Sequence, residues 1–530
     1  MTVRDVAPGP SPQAGRIAEL GRLAERLGAG VTHGGRPETL TTTAPFTGEP
    51  LASLPRSTVA DVATAYDLAR AAQRPWARIP LRARAQVFLR LHDLVLERQD
   101  EVLDLVQLET GKARRHALEE VVDVALTARH YARSAGRYLR PQRHAGLVPV
   151  LSTATELHHP KGVVGIVSPW NYPLTLAVTD AIPAFLAGNA VVHKPDSQTP
   201  LTALWIRALA IEAGLPDALW RIVLGEGRTV GQAVVDGGDF VCFTGSTPTG
   251  REVAERCARR LVGCSLELGG KNPMLVLGDA DLDRAAEGAE RDCFSNSGQL
   301  CVSMERVYVA AAAYDAFVDR FVRRVEAMRL GSELDWSADM GSLISADQLA
   351  GVTAHVDDAV AKGATVLAGG RARPDLGPYF YEPTVLTGVT EDMSVCRDET
   401  FGPVVSVTEV HDEHEALRRA NDTAYGLNAS IWTRDVAKGR ALAAQLQTGT
   451  VTVNETYAAA WGATRSPMGG VKDSGLGRRH GRDGIVKYTE AQTVAVQRLM
   501  GFAPPPSVPW ETWARGFTVG LKAMKALGRR

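Results

Sequence analysis

The stretch from Gly162 to Phe243 constrains the fold most. Gly162-Val163-Val164-Gly165-Ile166-Val167 is a continuous β-branched run, the pattern of a strand buried on both faces. Ala190-Val191-Val192-His193, Leu219 to Leu224 and Asp239 to Phe243 repeat it. Helical segments lie between: Pro173 opens one that Pro183 should kink, and Thr199 caps another with Pro200 at its first position and Gly214 just past its end. Strands separated by helices predict a doubly wound parallel sheet, which binds ligands at the carboxyl ends of its strands. Those ends carry Ser168-Pro169-Trp170-Asn171-Tyr172-Pro173, Lys194-Pro195-Asp196-Ser197 and Thr244-Gly245-Ser246-Thr247-Pro248-Thr249-Gly250. The last runs into a helix whose N-terminal amides suit a phosphate. The GxGxxG fingerprint of dinucleotide-binding folds is missing, so a plain glycine turn competes at each end taken alone.

Around this sheet, 530 residues leave room for two or three domains. A formal net charge of -1, with no basic stripe interleaved with aromatics, argues against a nucleic-acid partner. The six cysteines, at 242, 257, 264, 293, 301 and 396, form no CxxC pair and no metal-ligand spacing, so they read as reduced intracellular thiols with no metal. No secretory h-region opens the chain and no apolar run reaches membrane-spanning length, which predicts a cytoplasmic protein.

Upstream, residues 1–14 are Pro/Gly/Ser-rich and read as disordered, followed by a short helix from Arg16 to Leu27. Strand-like pieces occupy Pro45 to Leu54. Helices are expected from Thr58 to Arg74, capped by Thr58 with Asp61 in the first turn, then through Val87, Leu91, Leu94 and Val95 to Gly111, and from Leu118 to Tyr138. Arg140 to His159 reads as an exposed hairpin. At the far end Trp510, Trp513, Phe517, Leu521, Met524 and Leu527 share one helical face flanked by Arg515, Lys522, Lys525, Arg529 and Arg530. Such a basic amphipathic helix suits a membrane surface, although packing on its own or a neighbouring subunit carries more weight.

The second half holds isolated chemistry. Glu267 lies between two leucines in Ser265-Leu266-Glu267-Leu268-Gly269-Gly270-Lys271-Asn272, where a carboxylate is either paired or functional. Cys301 follows Ser295-Asn296-Ser297-Gly298-Gln299-Leu300, between a helix expected over Asp279 to Phe294 and the strand Arg306 to Val309. Backbone amides at such a junction lower a thiol pKa and make it a nucleophile. Glu399 and Phe401 stand two apart in Asp398-Glu399-Thr400-Phe401-Gly402-Pro403, and Ser466 to Arg478 forms a glycine-punctuated loop.

Pro169-Trp170-Asn171-Tyr172-Pro173, Phe243-Thr244-Gly245-Ser246, Leu266 to Lys271, Gly298 to Cys301, Glu399 to Pro403 and the Gly469 to Arg478 loop, in this order, resemble the aldehyde dehydrogenase superfamily across about residues 35–500. The resemblance implies an α/β protein. A doubly wound dinucleotide-binding domain would take 35–141 and 162–265, a catalytic domain 266–465, and a small oligomerisation hairpin 142–161 and 485–500, with an arm at 1–34 and a tail at 501–530. It implies that Cys301 attacks an aldehyde, that Asn171 and the Cys301 amide hold the oxyanion, and that Glu267 activates water. The cofactor residues it implies are Trp170, Asn171, Lys194, Pro195, Asp196, Ser197, Gly245, Ser246, Leu268, Glu399 and Phe401. Ser197 stands where NAD-preferring members carry a Glu, so NADP is expected, with NAD as the alternative and Asp196 as the complication. A homodimer or homotetramer is implied too.

Within the family the nearest resemblance is to members that act on succinate semialdehyde. The two arginines that such enzymes use are replaced by Thr179 and Ser295, and Asp180 would repel a second carboxylate if it faced the pocket. Arg306 and Arg465 are the candidate substitutes. Trp461, Tyr457 and Phe294 instead suggest an apolar tunnel for a longer or aromatic aldehyde. CoA-acylating relatives lack the Glu267 carboxylate, so hydrolysis of the acyl group is expected; a non-catalytic binding protein on this fold is the rival from another class.

Overall fold

A computed structural model describes residues 22–35, 37–146, 152–497, 502–526 and 528. The expected disorder of 1–14, the first turns of the Arg16–Leu27 helix, Leu527, Arg529 and Arg530 lie outside them; residues 22–28 are helical.

Two sheets organise the chain. The first runs Gly475–Leu476, Gly263–Glu267, Phe240–Thr244, Val163–Val167, Ala190–Lys194, Trp220–Ile222, parallel except at the Gly475–Leu476 edge. Its central strands are β-branched because both faces are covered by helices: Val163, Val164, Val191 and Val192 are fully buried. Each such side chain contributes roughly 1.5–3 kcal/mol of hydrophobic stabilisation. The second sheet runs Thr365–Ala368, Thr384–Thr387, Val404–Val410, Met304–Ala310, Asn272–Val276, Ser430–Trp432, Thr452–Val453, with only the first pair antiparallel. A third, three-stranded antiparallel sheet joins Gln142–Ala145, Ser152–Pro160 and Thr489–Gln497, and the last strand is exposed along almost its whole length.

The Val59–Arg78 helix opens with the expected capping box of Thr58 and Asp61. Two other expectations change. Pro183 does not kink one helix: two short ones, Pro173–Val178 and Ala181–Leu186, meet at Thr179 and Asp180. Thr199 does not cap the Pro200–Glu212 helix with its side chain. The Glu109 carboxylate does so from a distant helix, accepting from Leu201 N (2.7 Å) and Thr202 N (2.7 Å). A carboxyl group whose two oxygens each take one of the free amides outcompetes a local hydroxyl, although burial raises this one to about 8. The helix expected from Asp279 begins at Leu282, capped by Asp281.

The tail forms a helix, Trp510–Ala526, with no buried residue; Trp513 and Phe517 contact each other and Phe517 contacts Phe502. No described helix is long and apolar enough to cross a membrane.

Candidate active site

Between the sheets lies a cavity of about 260 Å³. Pro169, Trp170 and Asn171, then Thr244, Gly245 and Ser246, then Glu267, Leu268 and Gly269 reach it from the carboxyl ends of three strands of the first sheet. Cys301, Glu399 and Phe401 reach it from just before the Met304–Ala310 and Val404–Val410 strands of the second, and Gln348 from the first turn of the Ala346–Ala361 helix. Residues far apart in sequence thus converge because one sheet ends where the other begins.

The Cys301 loop is held by its carbonyls. Asn171 Nδ2 donates to Gln299 O (3.1 Å), Asn272 Nδ2 to Cys301 O (2.8 Å) and Ser303 O (2.7 Å), and Asn428 Nδ2 to Val302 O (3.1 Å). The preceding turn is left-handed at Asn296, Ser297 and Gly298 (φ 52, 56 and 70°). Gly298 is required there twice over: its φ is positive, and a Cβ would lie 2.0 Å from Gly402 O.

Electrostatics correct one expectation. The Cys301 backbone N–H does favour its thiolate, but burial, Glu267 and Glu399 together outweigh it and push the thiol up to about 12. In this state the cysteine is a protonated thiol, and activation needs a base or a bound cation. Glu267 is the available base: burial raises it to about 7, against the opposing pull of Arg479 and Lys487. Its Oε1 and Asn171 Oδ1 are buried without a protein hydrogen-bond partner among the described residues. Such atoms are costly unless a ligand or water completes them.

Glu399 accepts a hydrogen bond from Gly270 N (2.8 Å), and burial raises it to about 8. A Cβ at Gly269 would sit 2.3 Å from Glu399 Oε2, so any side chain there would push this carboxylate from its place at the cavity. Phe401, at φ 50°, meets Trp170 edge-on at 5.6 Å. Its loop is anchored by Glu305, which pairs with Lys271 and accepts from Thr400 N and Phe401 N (2.9 and 3.0 Å).

A second cavity of about 510 Å³ continues along the first sheet past Phe243 and Thr249, with Arg228, Gly231, Gln232 and Arg256 on its walls. The position of a Cβ on Gly231 is 3.5 Å from Lys194 Cδ, which puts Lys194 behind this wall. Lys194 Nζ donates to Pro195 O (3.1 Å), Ser197 Oγ to Gly225 O (3.0 Å), and Asp196 Oδ1 accepts from Gln198 N (2.9 Å). Asp196 is therefore occupied by a local turn. Ser246 Oγ donates to Thr249 Oγ1 (3.1 Å) at the start of its helix. A larger cavity, about 600 Å³, shares Arg228, Gln232 and Arg256 and holds no candidate catalytic residue.

Three expectations about the substrate side fail. Asp180 does not face the pocket: it is buried against Arg479, Lys487 and Tyr488, and the two cations hold its carboxyl well below the usual range. Phe294 lies in the core of the second sheet, stacked on Phe321, and lines no tunnel. Arg306 is buried with its guanidinium on the carbonyls of Lys271, Arg419 and Ala420, and Arg465 is exposed. Arg306 therefore offers no cation to a substrate. Sequence reasoning missed Gln348, whose Nε2 holds Phe401 O (2.8 Å), and Lys112, whose Nζ bridges Glu120 Oε1 and Asn171 O (both 2.6 Å). Lys112 and Glu120 sit in a charge-rich stretch, Glu109 to Asp123, so nothing local marked this pair.

A family model described as the aldehyde dehydrogenase family matches residues 32–494. A Mycolicibacterium smegmatis protein named "putative succinate-semialdehyde dehydrogenase [NADP(+)]" is 55% identical over 92% of this chain and 94% of its own. The NAD+ complex of an aldehyde dehydrogenase from Bacillus cereus is 35% identical with TM-score 0.82, covering 87% of this chain and 93% of that one. An Escherichia coli NADP-dependent enzyme is 33% identical at TM-score 0.82, covering 87% and 95%.

Proposed function

We propose, from the premise that this chain belongs to the aldehyde dehydrogenase family, that it oxidises an aldehyde to a carboxylic acid with NADP through a covalent Cys301 intermediate. The observation that carries this is the convergence of Cys301, Glu267 and Asn171 in one cavity, with Glu267 Oε1 buried there and left without a protein partner. With Glu267 taking its proton, the Cys301 sulfur adds to the aldehyde carbon, and the Asn171 amide and Cys301 N–H face the resulting oxyanion of a thiohemiacetal. Loss of hydride from that carbon leaves a thioester on Cys301. Once Glu267 has released the thiol's proton to solvent, its carboxylate removes a proton from the water that attacks the thioester, and the acid leaves as the Cys301 thiol is regenerated.

The dinucleotide, when bound, supplies the hydride acceptor. The residues present fit such a group: two cavities lie along the strand ends, a glycine beside Glu399 keeps that carboxylate clear, and Arg228 lines the second cavity with Lys194 behind its wall. Trp170, Gly245, Ser246, Leu268, Glu399 and Phe401 would hold it in the first cavity, and Lys194, Pro195, Asp196 and Ser197 at the neighbouring strand end. The preference for NADP is supported by the names of the relatives, by Ser197, and by an Asp196 already engaged with Gln198 N.

The relatives' name puts succinate semialdehyde first among substrates to try, with other aliphatic or aromatic aldehydes as the alternative. We also read the chain as a cytoplasmic homo-oligomer joined through the three-stranded sheet, a reading supported by the exposed edge strand Thr489–Gln497 and its half-exposed Val494 and Val496. The test is a spectrophotometric assay of a small aldehyde panel with NADP and with NAD. Reduced cofactor should accumulate with NADP at the higher kcat/KM. No turnover with any aldehyde would refute the activity, and a clear advantage for NAD would refute the cofactor preference.

A further inference from the structure

The corner between the Thr247–Arg259 helix and the Gly263–Glu267 strand holds two cysteines for which the reaction has no use. On the helix, Val253 and Cys257 stand four apart and face the sheet in one apolar cluster with Val241, Phe243 and Leu266. On the strand, Cys264 pairs with Val241 and Leu266 with Phe243, so Cys264 alternates onto that same face and packs against the cluster. Cys257 closes the apolar face of the helix, and Cys264 opens that of the strand. The turn folds them together: Leu261 is left-handed (φ 56°), and Val262 N donates back to Cys257 O (3.1 Å). The two thiols meet, with the Cys257 S–H donating to the Cys264 sulfur. Cys257 is buried and Cys264 half-buried. The edge strand Gly475–Leu476 pairs with Glu267 and Leu266 only, so no described strand covers Cys264 on that side.

We propose that Cys257 and Cys264 form a dithiol oxidised by hydrogen peroxide, with Cys264 as the attacking sulfur and Cys257 as the one that resolves it into a disulfide. The Cys264 sulfur attacks the O–O bond, giving a sulfenic acid and one water. The Cys257 sulfur then displaces hydroxide from the sulfenic sulfur; its proton leaves with that hydroxide as water, and an S–S bond remains. Two thiols and one peroxide thus become one disulfide and two waters. The order of attack follows from the surroundings. The hydrogen bond from Cys257 holds the Cys264 thiol below its usual range, and the same contact, with burial, raises Cys257. Burial also raises Cys242, Cys293, Cys301 and Cys396. The thiolate is the reacting form, so Cys264 meets the oxidant ahead of Cys301. This chemistry is independent of the aldehyde-oxidising reading.

The test treats the reduced full-length protein with about two equivalents of hydrogen peroxide and counts free thiols after unfolding. The six thiols should fall by two, and peptide mapping should find one cross-link, joining Cys257 to Cys264. Dithiothreitol should restore all six. Aldehyde oxidation should decay at least about tenfold more slowly than the disulfide forms. Cys257→Ser should stop at a sulfenic acid on Cys264 that dimedone captures, and Cys264→Ser should form no disulfide. Mapping of the wild type carries the test if either variant does not fold. A cross-link to any other cysteine, or thiol loss that begins at Cys301, overturns the dithiol. Dimedone capture on Cys257 in the Cys264→Ser protein overturns the order of attack.

Discussion

Two buried carboxylates lie near the same arginine and have opposite fates. Asp180 accepts from Arg479 (2.6 Å), Lys487 (3.0 Å) and Tyr488 (2.6 Å), and is held far down in its ionised form. Glu267 feels Arg479 and Lys487 only at a distance, keeps an unpartnered Oε1 and is raised to about 7. The contrast extends outward. The frame around the cavity is made of completed buried pairs, Lys112 with Glu120 and Lys271 with Glu305, which fix Asn171 and the Glu399–Phe401 loop. Inside the frame the groups with chemistry to do are left incomplete. A completed pair gives position; an incomplete group keeps a proton or a lone pair free for a ligand.

Substitutions on the two sides of this contrast should separate cleanly. Inside the cavity, Cys301→Ser should lower kcat/KM for every aldehyde by at least about a thousandfold, because no other described cysteine lines the cavity, while dinucleotide binding by fluorescence stays intact. In the frame, Asp180→Ala should cost about 3–5 kcal/mol in denaturant unfolding, since it leaves Arg479 and Lys487 buried without their partner. Gly269→Ala pushes a methyl against Glu399 and should raise the dinucleotide KM roughly tenfold, or about 1.4 kcal/mol, with little change in unfolding.

A further effect carries the opposite sign from Asp180→Ala. The folded-state pKa of Glu267 lies above its unfolded value, so its ionisation costs nothing at acid pH, stability is lost as pH rises from roughly 4.3 toward about 7, and the loss is complete above that. Glu267→Gln should therefore stabilise the protein by roughly 1–3 kcal/mol at mildly alkaline pH and not at all near pH 4. A variant less stable than the wild type at mildly alkaline pH would mean that Glu267 is a paired structural carboxylate like Asp180.

The sequence made the parallel strands legible because β-branched runs such as Val163–Val167 have few alternatives. It also made the site motifs legible, since glycine and proline punctuation marked each strand end. What it hid were long-range pairings. Asp180 and Arg479 are 299 residues apart, so nothing local showed that Asp180 points into a salt-bridge cluster rather than the pocket. Phe294, with the same local pattern as a tunnel residue, turns instead to Phe321 across the Leu282–Phe294 and Tyr314–Glu326 helices. The thiol of Cys301 was misjudged for the same reason: the junction and its amide were visible, but the burial and the two carboxylates that outweigh them come from distant strands.

Rapid mixing of Glu267→Gln with aldehyde and NADP tests the incomplete carboxylate most directly. A thioester on Cys301 that depends on Glu267 for hydrolysis predicts a burst of reduced cofactor approaching one equivalent per Cys301, followed by a slow steady state. A steady-state rate equal to the wild type, with no burst, would contradict it and remove Glu267 from the reaction.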